Sequence, residues 1–124
     1  MNINLEKFFP DNFKMIYMHE NEKLIYIKIK SISKATKCPC CGEKSTKIHS
    51  TYGRNIKDIP MINKKLYITI ISKKFFCENI HFERKIFTER FQNFVETYSM
   101  RSNRLNLSIE KIILTNNAKH LLRY

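Results

Sequence analysis

Four cysteines and one histidine have the types and the spacing that bind a metal ion. Three of the cysteines lie in the pentapeptide CPCCG of residues 38–42, and Cys77 is followed by His81 at C-x3-H spacing. Two thiols at C-x-x-C spacing in a tight turn, with a Cys/His pair far along the chain, are typical of a structural zinc site. We therefore predict one tetrahedral zinc ion with the ligands Cys38, Cys41, Cys77 and His81.

The identity of the fourth ligand and the chemistry of the thiols stay open at the level of sequence. Cys40 is the alternative fourth ligand, although its side chain should point away from a turn formed by Cys38 and Cys41. Paired disulfides are disfavoured because three of the thiols are crowded together. A redox dithiol normally opens a helix after a βα unit, whereas Gly42 and a β-rich stretch follow this one.

The charge of the chain indicates a polyanionic partner. The 124 residues carry a formal net charge of +12, and residues 37–124 contribute seventeen Lys and Arg against seven acids. A small zinc module with this charge is a candidate for nucleic-acid binding, although a merely solvated basic surface is the alternative. Basic residues cluster in pairs near predicted strand edges. The residues that we predict to contact DNA are Arg54, Lys73, Lys74, Arg84 and Lys85.

The composition narrows the class of protein further. The chain is 43% hydrophobic, which is enough for one modest domain with a core. It lacks an apolar run of the roughly 18 residues that a spanning helix needs, and its start does not have the layout of a signal peptide. We therefore expect a cytoplasmic protein without a membrane partner. The scattered Asp and Glu residues form no catalytic set, so we expect that this chain alone is not an enzyme.

Period-two patterns predict the strands of a zinc ribbon. Residues 24–32 alternate apolar and polar side chains, with Lys28 and Lys30 facing outwards. Residues 52–59 predict a twisted strand that Pro60 ends. Residues 63–65 predict a turn, residues 66–72 a β-branched strand, and residues 84–88 a short last strand. Two hairpins held together by one metal ion would make the ribbon.

The pattern changes to a helical period after the ribbon. Leu105, Ile109, Ile112 and Ile113 form one apolar stripe, and Ser99 or Ser102 is suited to cap the start of this helix. The sequence Thr-Asn-Asn at residues 115–117 predicts a break, followed by a second short helix.

The predicted fold class is α+β, with a small zinc-ribbon β module preceded by a β-strand segment and followed by two short helices. The predicted divisions are residues 1–36 for the strand-containing segment, 37–90 for the zinc ribbon and 91–124 for an incomplete helix-turn-helix. The sequence leaves homo-oligomer formation open.

Residues 38–91 together resemble the zinc-binding head of the ISL-three family of insertion-sequence transposases. That family's pattern contains CPxCG, a Ser and a His, Tyr-x-Arg, an Asp-Leu-Pro-like turn, a strand ending in Phe-x-Cys, and Arg-Lys-x-Phe-x-Glu-Arg. The corresponding residues here are Cys38, Pro39, Cys41, Gly42, Ser45, His49, Tyr52, Arg54, Asp58, Pro60, Phe75, Cys77, Arg84, Lys85, Phe87, Glu89 and Arg90. Phe82 occupies the place of the family's fourth cysteine, so His81 would replace that ligand.

The resemblance implies a zinc ribbon, a helix-turn-helix and a DDE-type catalytic domain that cuts and joins DNA. The first two parts would bind the terminal inverted repeats of the element. Because the sequence stops within the predicted helix-turn-helix, we expect a truncated transposase portion that binds element ends without the catalytic acids. A stand-alone zinc-ribbon protein that binds RNA or a protein partner is the alternative.

Overall fold

The computed structural model describes residues 5–81 and 85–122 of the chain, and it consists mainly of β-structure. A short 3-10 helix spans Leu5–Phe8 and precedes the first strand. The strands and the helix that follow are β1 (Phe13–Glu20), β2 (Leu24–Ser31), β3 (Thr36–Lys37), β4 (Lys44–Ser45), β5 (Ile48–Met61), β6 (Lys64–Phe76), β7 (Ile86–Thr88) and α1 (Asn103–Leu122).

Five of the strands form one sheet around the long central strand β6. The order is β1-β2-β6-β5, and β7 pairs with the far end of β6. β2 runs parallel to β6, whereas the other pairings are antiparallel. The short strands β3 and β4 form a separate hairpin. The predicted zinc ribbon is therefore continuous with the strands of the predicted N-terminal segment.

The β5–β6 hairpin is longer than the sequence pattern indicated. Pro60 does not end the strand, which continues to Met61. β5 is an edge strand whose register shifts between Asp58 and Met61, and a proline without an N–H is tolerated at such a place. The turn consists of Ile62 and Asn63, with φ angles of 53° and 60°, and not of residues 63–65. Two consecutive positive φ angles are the signature of a two-residue type I′ turn.

Strand β1 was not predicted because its burial pattern is unusual. Of its eight residues only Phe13 is buried, and most of the others are exposed. An edge strand with one irregularity, here between Met15 and Tyr17, does not show the clean alternation that period-two analysis detects.

Two apolar clusters lie on the sheet. The larger one packs the inner face of β2, β5 and β6 against aromatic residues from the N-terminal segment and from the turn after β7. Phe13, for example, lies with its ring centroid 4.6 Å from that of Phe91. The smaller cluster contains Cys38, Phe75 and Phe87, with Cys41 and Cys77 packed against it. The predicted metal ligands are therefore part of the packing of the sheet.

The prediction of two short helices is not confirmed, since α1 is continuous from Asn103 to Leu122. Thr115, the first residue of the predicted break, lies within the helix. Its hydroxyl donates a hydrogen bond to the Lys111 carbonyl. Such a bond satisfies the threonine hydroxyl within the helix. Ser102 is the N-cap, as one of the two predicted candidates, because its Oγ accepts the Leu105 N–H at 3.2 Å.

The start of α1 is attached to β5 by a buried acid. The Asp58 carboxylate accepts hydrogen bonds from Ser102 Oγ at 2.5 Å and from Arg104 Nε at 2.7 Å. Arg104 also donates to the Phe8 carbonyl at 2.7 Å, and its guanidinium carbon lies 3.8 Å from the Phe8 ring centroid. One arginine therefore joins the helix, the edge strand and the N-terminal 3-10 helix.

A second buried acid joins β2 to β6. Glu89 accepts hydrogen bonds from Ser31 Oγ and from the Lys73 backbone N–H, both at 2.8 Å. Burial raises the pKa of Glu89 above its ordinary value, although the bonds from Ser31 and Lys73 act in the opposite direction.

The proposed division into three segments stays a prediction, although strands of the first two share one sheet. Within its described residues, the predicted helix-turn-helix segment contains the single helix α1. None of the described helices is both long and apolar enough to cross a membrane.

Candidate metal centre

The turn that carries three of the cysteines, residues 38–42, is closed by backbone hydrogen bonds. Cys38 donates its N–H to the Glu43 carbonyl, and Gly42 donates to the Cys38 carbonyl, both at 2.9 Å. Gly42 has a φ angle of 79°, a left-handed conformation in which glycine avoids a side-chain clash. The chain therefore reverses within one turn, and the β3–β4 hairpin presents this turn to the sheet.

Three sulfur atoms come together at this turn. The Sγ atoms of Cys38, Cys41 and Cys77 all lie within 4.8 Å of one another, and those of Cys41 and Cys77 are 3.5 Å apart. Zinc–sulfur bonds of about 2.3 Å in a tetrahedron place neighbouring sulfurs roughly 3.8 Å apart. No disulfide links any of the four cysteines, all of which lie in the described part of the chain. The donor set and its spacing fit zinc.

The thiols of the cluster differ in acidity. Burial raises the pKa of Cys38, but hydrogen bonds from the backbone N–H groups of Cys41 and Cys40 and from neighbouring thiols lower it more, so the pKa lies below its ordinary value. The backbone N–H of Asn79 lowers the pKa of Cys77, yet burial and the other two thiols raise it to about 11. A thiolate at Cys38 therefore disfavours a second negative charge at Cys77 unless a cation lies between them.

The surrounding strands hold the two halves of the cluster together. Ser45 Oγ donates to the Phe76 carbonyl at 2.5 Å, and Cys77 N–H donates to the Lys85 carbonyl at 2.7 Å. Phe75 and Phe87, which face each other in the β6–β7 ladder, stack with centroids 5.9 Å apart. Because these contacts position the cysteines from two separate hairpins, the zinc-ribbon arrangement predicted from the sequence is present.

Among the described residues, no fourth metal-binding side chain joins the three thiols. His81 is exposed, and its backbone N–H donates to Asn79 Oδ1 at 2.9 Å. Cys40 is exposed as well. Neither residue belongs to the group of three thiols, so His81 as the fourth ligand, with Cys40 as the alternative, stays a prediction.

The residues predicted to contact DNA have different environments. The Arg54 guanidinium donates to the backbone carbonyls of Glu96 and Ser99, and Lys73 Nζ donates to the Ser33 carbonyl at 2.7 Å. Both side chains therefore hold loops to the sheet.

The remaining predicted contacts lie nearer to solvent. Lys74 Nζ is 5.3 Å from the centroid of the Tyr52 ring, and Lys85 is exposed. Arg84 lies outside the described residues.

Arg90 was not among the predicted DNA contacts. It lines a cleft of about 350 Å³ together with Pro39 of the metal-binding turn, Tyr52 and Lys74. The signal was present, since Arg90 is one of the residues that carry the family resemblance. The lining of the cleft contains three basic side chains, including Arg54, as well as three aromatic rings and the buried acid Glu89.

Comparison with known proteins identifies this region. Residues 34–81 match the family described as the zinc-finger of transposase IS204/IS1001/IS1096/IS1165, which confirms the ISL-three resemblance over that range. Neither a curated protein nor a solved structure matches the chain. The matched residues contain all three clustered thiols, so a transposase-type zinc-binding module accounts for the centre.

Proposed function

We propose that this chain is a DNA-binding region of a DDE-type transposase and recognises the ends of its element. The observation that carries the proposal is the match of residues 34–81 to a transposase zinc-finger family. The net charge of +12 supports DNA as the partner, because Lys and Arg side chains gain affinity by displacing counterions from phosphates.

In this proposal the metal ion is structural. Zinc would bind the thiolates of Cys38, Cys41 and Cys77 and neutralise their charge. It would thereby fix the β3–β4 hairpin against β6 and β7. Two of the basic side chains that line the resulting cleft, Lys74 and Arg90, would then contact phosphates of duplex DNA. The exposed Lys85 would add a further phosphate contact.

Fluorescence anisotropy with labelled duplex DNA, carrying either an element end or an unrelated sequence, tests this proposal. We expect modest preference for the end, and an affinity whose logarithm falls linearly with the logarithm of the salt concentration. Reversing the charge at Lys74 and Lys85 should weaken binding and reduce the slope by about 0.9 for each lost contact. The matched control is Lys23→Glu, which changes an exposed lysine in the β1–β2 turn. An affinity for duplex DNA that does not depend on salt would contradict the proposal.

A stand-alone module that binds a protein is the second candidate. Among the α1 side chains that the structure describes, those of Leu107, Ile112, Ile113 and Leu114 are apolar and more than half exposed. Exposed apolar residues of this kind are typical of surfaces that contact another protein. If this candidate is correct, binding to the protein partner does not depend on salt concentration, and charge reversal at Lys74 leaves it unchanged.

A further inference from the structure

The sheet has a second face, opposite to the core, which we call the outer sheet face. Register places Tyr17 opposite Lys28 in the β1–β2 ladder and Tyr26 beside Tyr67 in the β2–β6 ladder. The β5–β6 ladder adds Asn55 and Lys57. Tyr17 is 52% exposed, and Tyr26 and Tyr67 are half-buried. This face therefore presents tyrosine rings and lysines together.

All charged side chains that the register places on this part of the face are cationic. They are Lys14, Lys28, Lys30, Lys57 and Lys65. The acids of the same strands lie elsewhere, since Glu20 is opposite the buried Ile25 and Asp58 is opposite the buried Leu66. The outer sheet face is thus complementary to a polyanion.

Hydrogen bonds across three strands orient the central tyrosine. Thr69 Oγ1 donates to Asn55 Oδ1 at 2.7 Å, so the Tyr26 hydroxyl, also 2.7 Å away, donates to Thr69. To reach the neighbouring strand, the Tyr26 ring leans over the sheet. Tyr17 meets it edge to face, with ring centroids 6.0 Å apart.

A shallow depression adjoins these rings. It has a volume of about 410 Å³, and its lining includes Tyr26, Asn55, Lys57, Tyr67 and the exposed Met100. A depression with ring carbons, an amide and an ammonium group accommodates a flat polar base and an adjoining phosphate.

We propose that the outer sheet face binds single-stranded DNA, with bases stacked on the tyrosine rings and phosphates paired with the lysines. Aromatic side chains in a basic surface bind unpaired bases because every base has an exposed π-face, which a duplex keeps inside its stack. The proposal rests on the proposed function only in taking DNA as the partner. The proposed binding surface, the outer sheet face, lies on the side of the sheet opposite to Lys74 and the cleft.

The test measures the binding of the zinc-loaded chain of 124 residues to labelled oligothymidylate of about 20 nucleotides and to duplex DNA of the same length. Tyr17→Ala should weaken oligothymidylate binding about tenfold, within the range known for loss of one stacked base, and leave duplex binding unchanged. Lys28→Glu with Lys57→Glu should weaken it further and reduce the salt slope by roughly 0.7 for each contact. Circular dichroism and zinc content confirm that each variant is folded.

Lys74→Glu is the matched control, because it should weaken duplex binding and leave oligothymidylate binding unchanged. The chain could fail to bind duplex DNA while substitutions on the outer sheet face still weaken oligothymidylate binding. In that case the proposed function is wrong and this inference stands. The inference is overturned if Tyr17→Ala binds oligothymidylate like the wild type, or if it weakens binding to inorganic polyphosphate equally. Tighter binding of oligouridylate RNA than of oligothymidylate would overturn the assignment to DNA.

Discussion

At the scale of single residues, neighbouring cysteines of the metal-binding turn place their sulfur atoms differently. Cys38, Cys40 and Cys41 are close in sequence, yet only Cys38 and Cys41 place their sulfurs beside that of Cys77. The reversal at Gly42 directs two thiols of the turn towards the sheet. Spacing within a tight turn therefore decides which of these cysteines converge with Cys77.

We predict that Cys77→Ser abolishes stoichiometric zinc binding, whereas Cys40→Ser retains about one zinc per chain. Loss of one thiolate from the cluster removes a strong ligand, but the Cys40 side chain does not converge with the others. Elemental analysis of purified variants measures the difference. His81→Ala should lower zinc affinity, and loss of zinc from Cys40→Ser with full retention in His81→Ala would show that Cys40 is the fourth ligand.

Glu89 gives a second prediction at this scale. Because burial raises its pKa above the ordinary value of 4.5, the folded chain holds this proton to higher pH than the unfolded chain does. The contribution of Glu89 to stability is then full at low pH and is lost as pH rises through the folded-state pKa. Glu89→Gln keeps partners for Ser31 and Lys73, so the variant should gain stability relative to the wild type as pH rises from about 4.5 towards neutrality.

Urea unfolding at several pH values measures this effect. Glu110→Gln, at an exposed position on α1, reports the effect of removing a carboxylate that is not buried. A stability difference between Glu89→Gln and the wild type that does not change with pH, or that shrinks as pH rises, would contradict the prediction.

At the scale of elements, the β5–β6 hairpin positions both the helix α1 and one of the clustered cysteines. It supplies the central strand, the edge strand that holds α1 through Asp58, and the strand end that carries Cys77. Its turn contains a β-branched residue, Ile62, in the left-handed region. That conformation is costly for isoleucine and easily adopted by asparagine or glycine.

Ile62→Asn should therefore stabilise the chain by about 1 kcal/mol, although it removes an apolar side chain. Ile62 is 54% exposed, so little buried contact is lost. Equilibrium urea unfolding measures the change. Ile32→Asn is the matched control, because Ile32 is 48% exposed and does not have a positive φ angle. It should change stability by no more than about 0.5 kcal/mol, and equal effects of both substitutions would refute the argument from the turn.

At the scale of the whole molecule, two oppositely facing basic surfaces lie on one sheet. Lys74 and Arg90 line the cleft beside the metal centre, and the lysines of the outer sheet face lie on the other side. The buried acids, in contrast, serve internal contacts. Asp58 is held by Arg104 and Glu89 by Ser31.

We predict that this chain does not cut DNA by itself. Two-metal cleavage needs several acids converging on a pair of divalent ions. Within the described residues, the three thiols are the only group of at least three metal-binding side chains that come together. Incubation with element-end DNA and magnesium or manganese tests the prediction. Metal-dependent nicking that survives stringent purification and disappears on mutation of Glu89 or Glu96 would overturn it.

Local patterns were sufficient to predict several features of this protein. The C-x-x-C turn with Cys77, the alternation in β2 and the Ser102 cap each depend on residues close in sequence or on one spacing rule. The family resemblance was recognisable for the same reason, since it consists of short motifs.

The tertiary structure alone decided how these pieces meet. The parallel pairing of β2 with β6, the extension of β5 past Pro60 and the continuous α1 were not evident from the sequence. The use of Arg54 to bind two loop carbonyls was not evident either. Pairing between distant segments depends on the summed contacts of the whole sheet. The hydrogen-bond partners of a charged side chain depend on where the fold places the backbone groups around it.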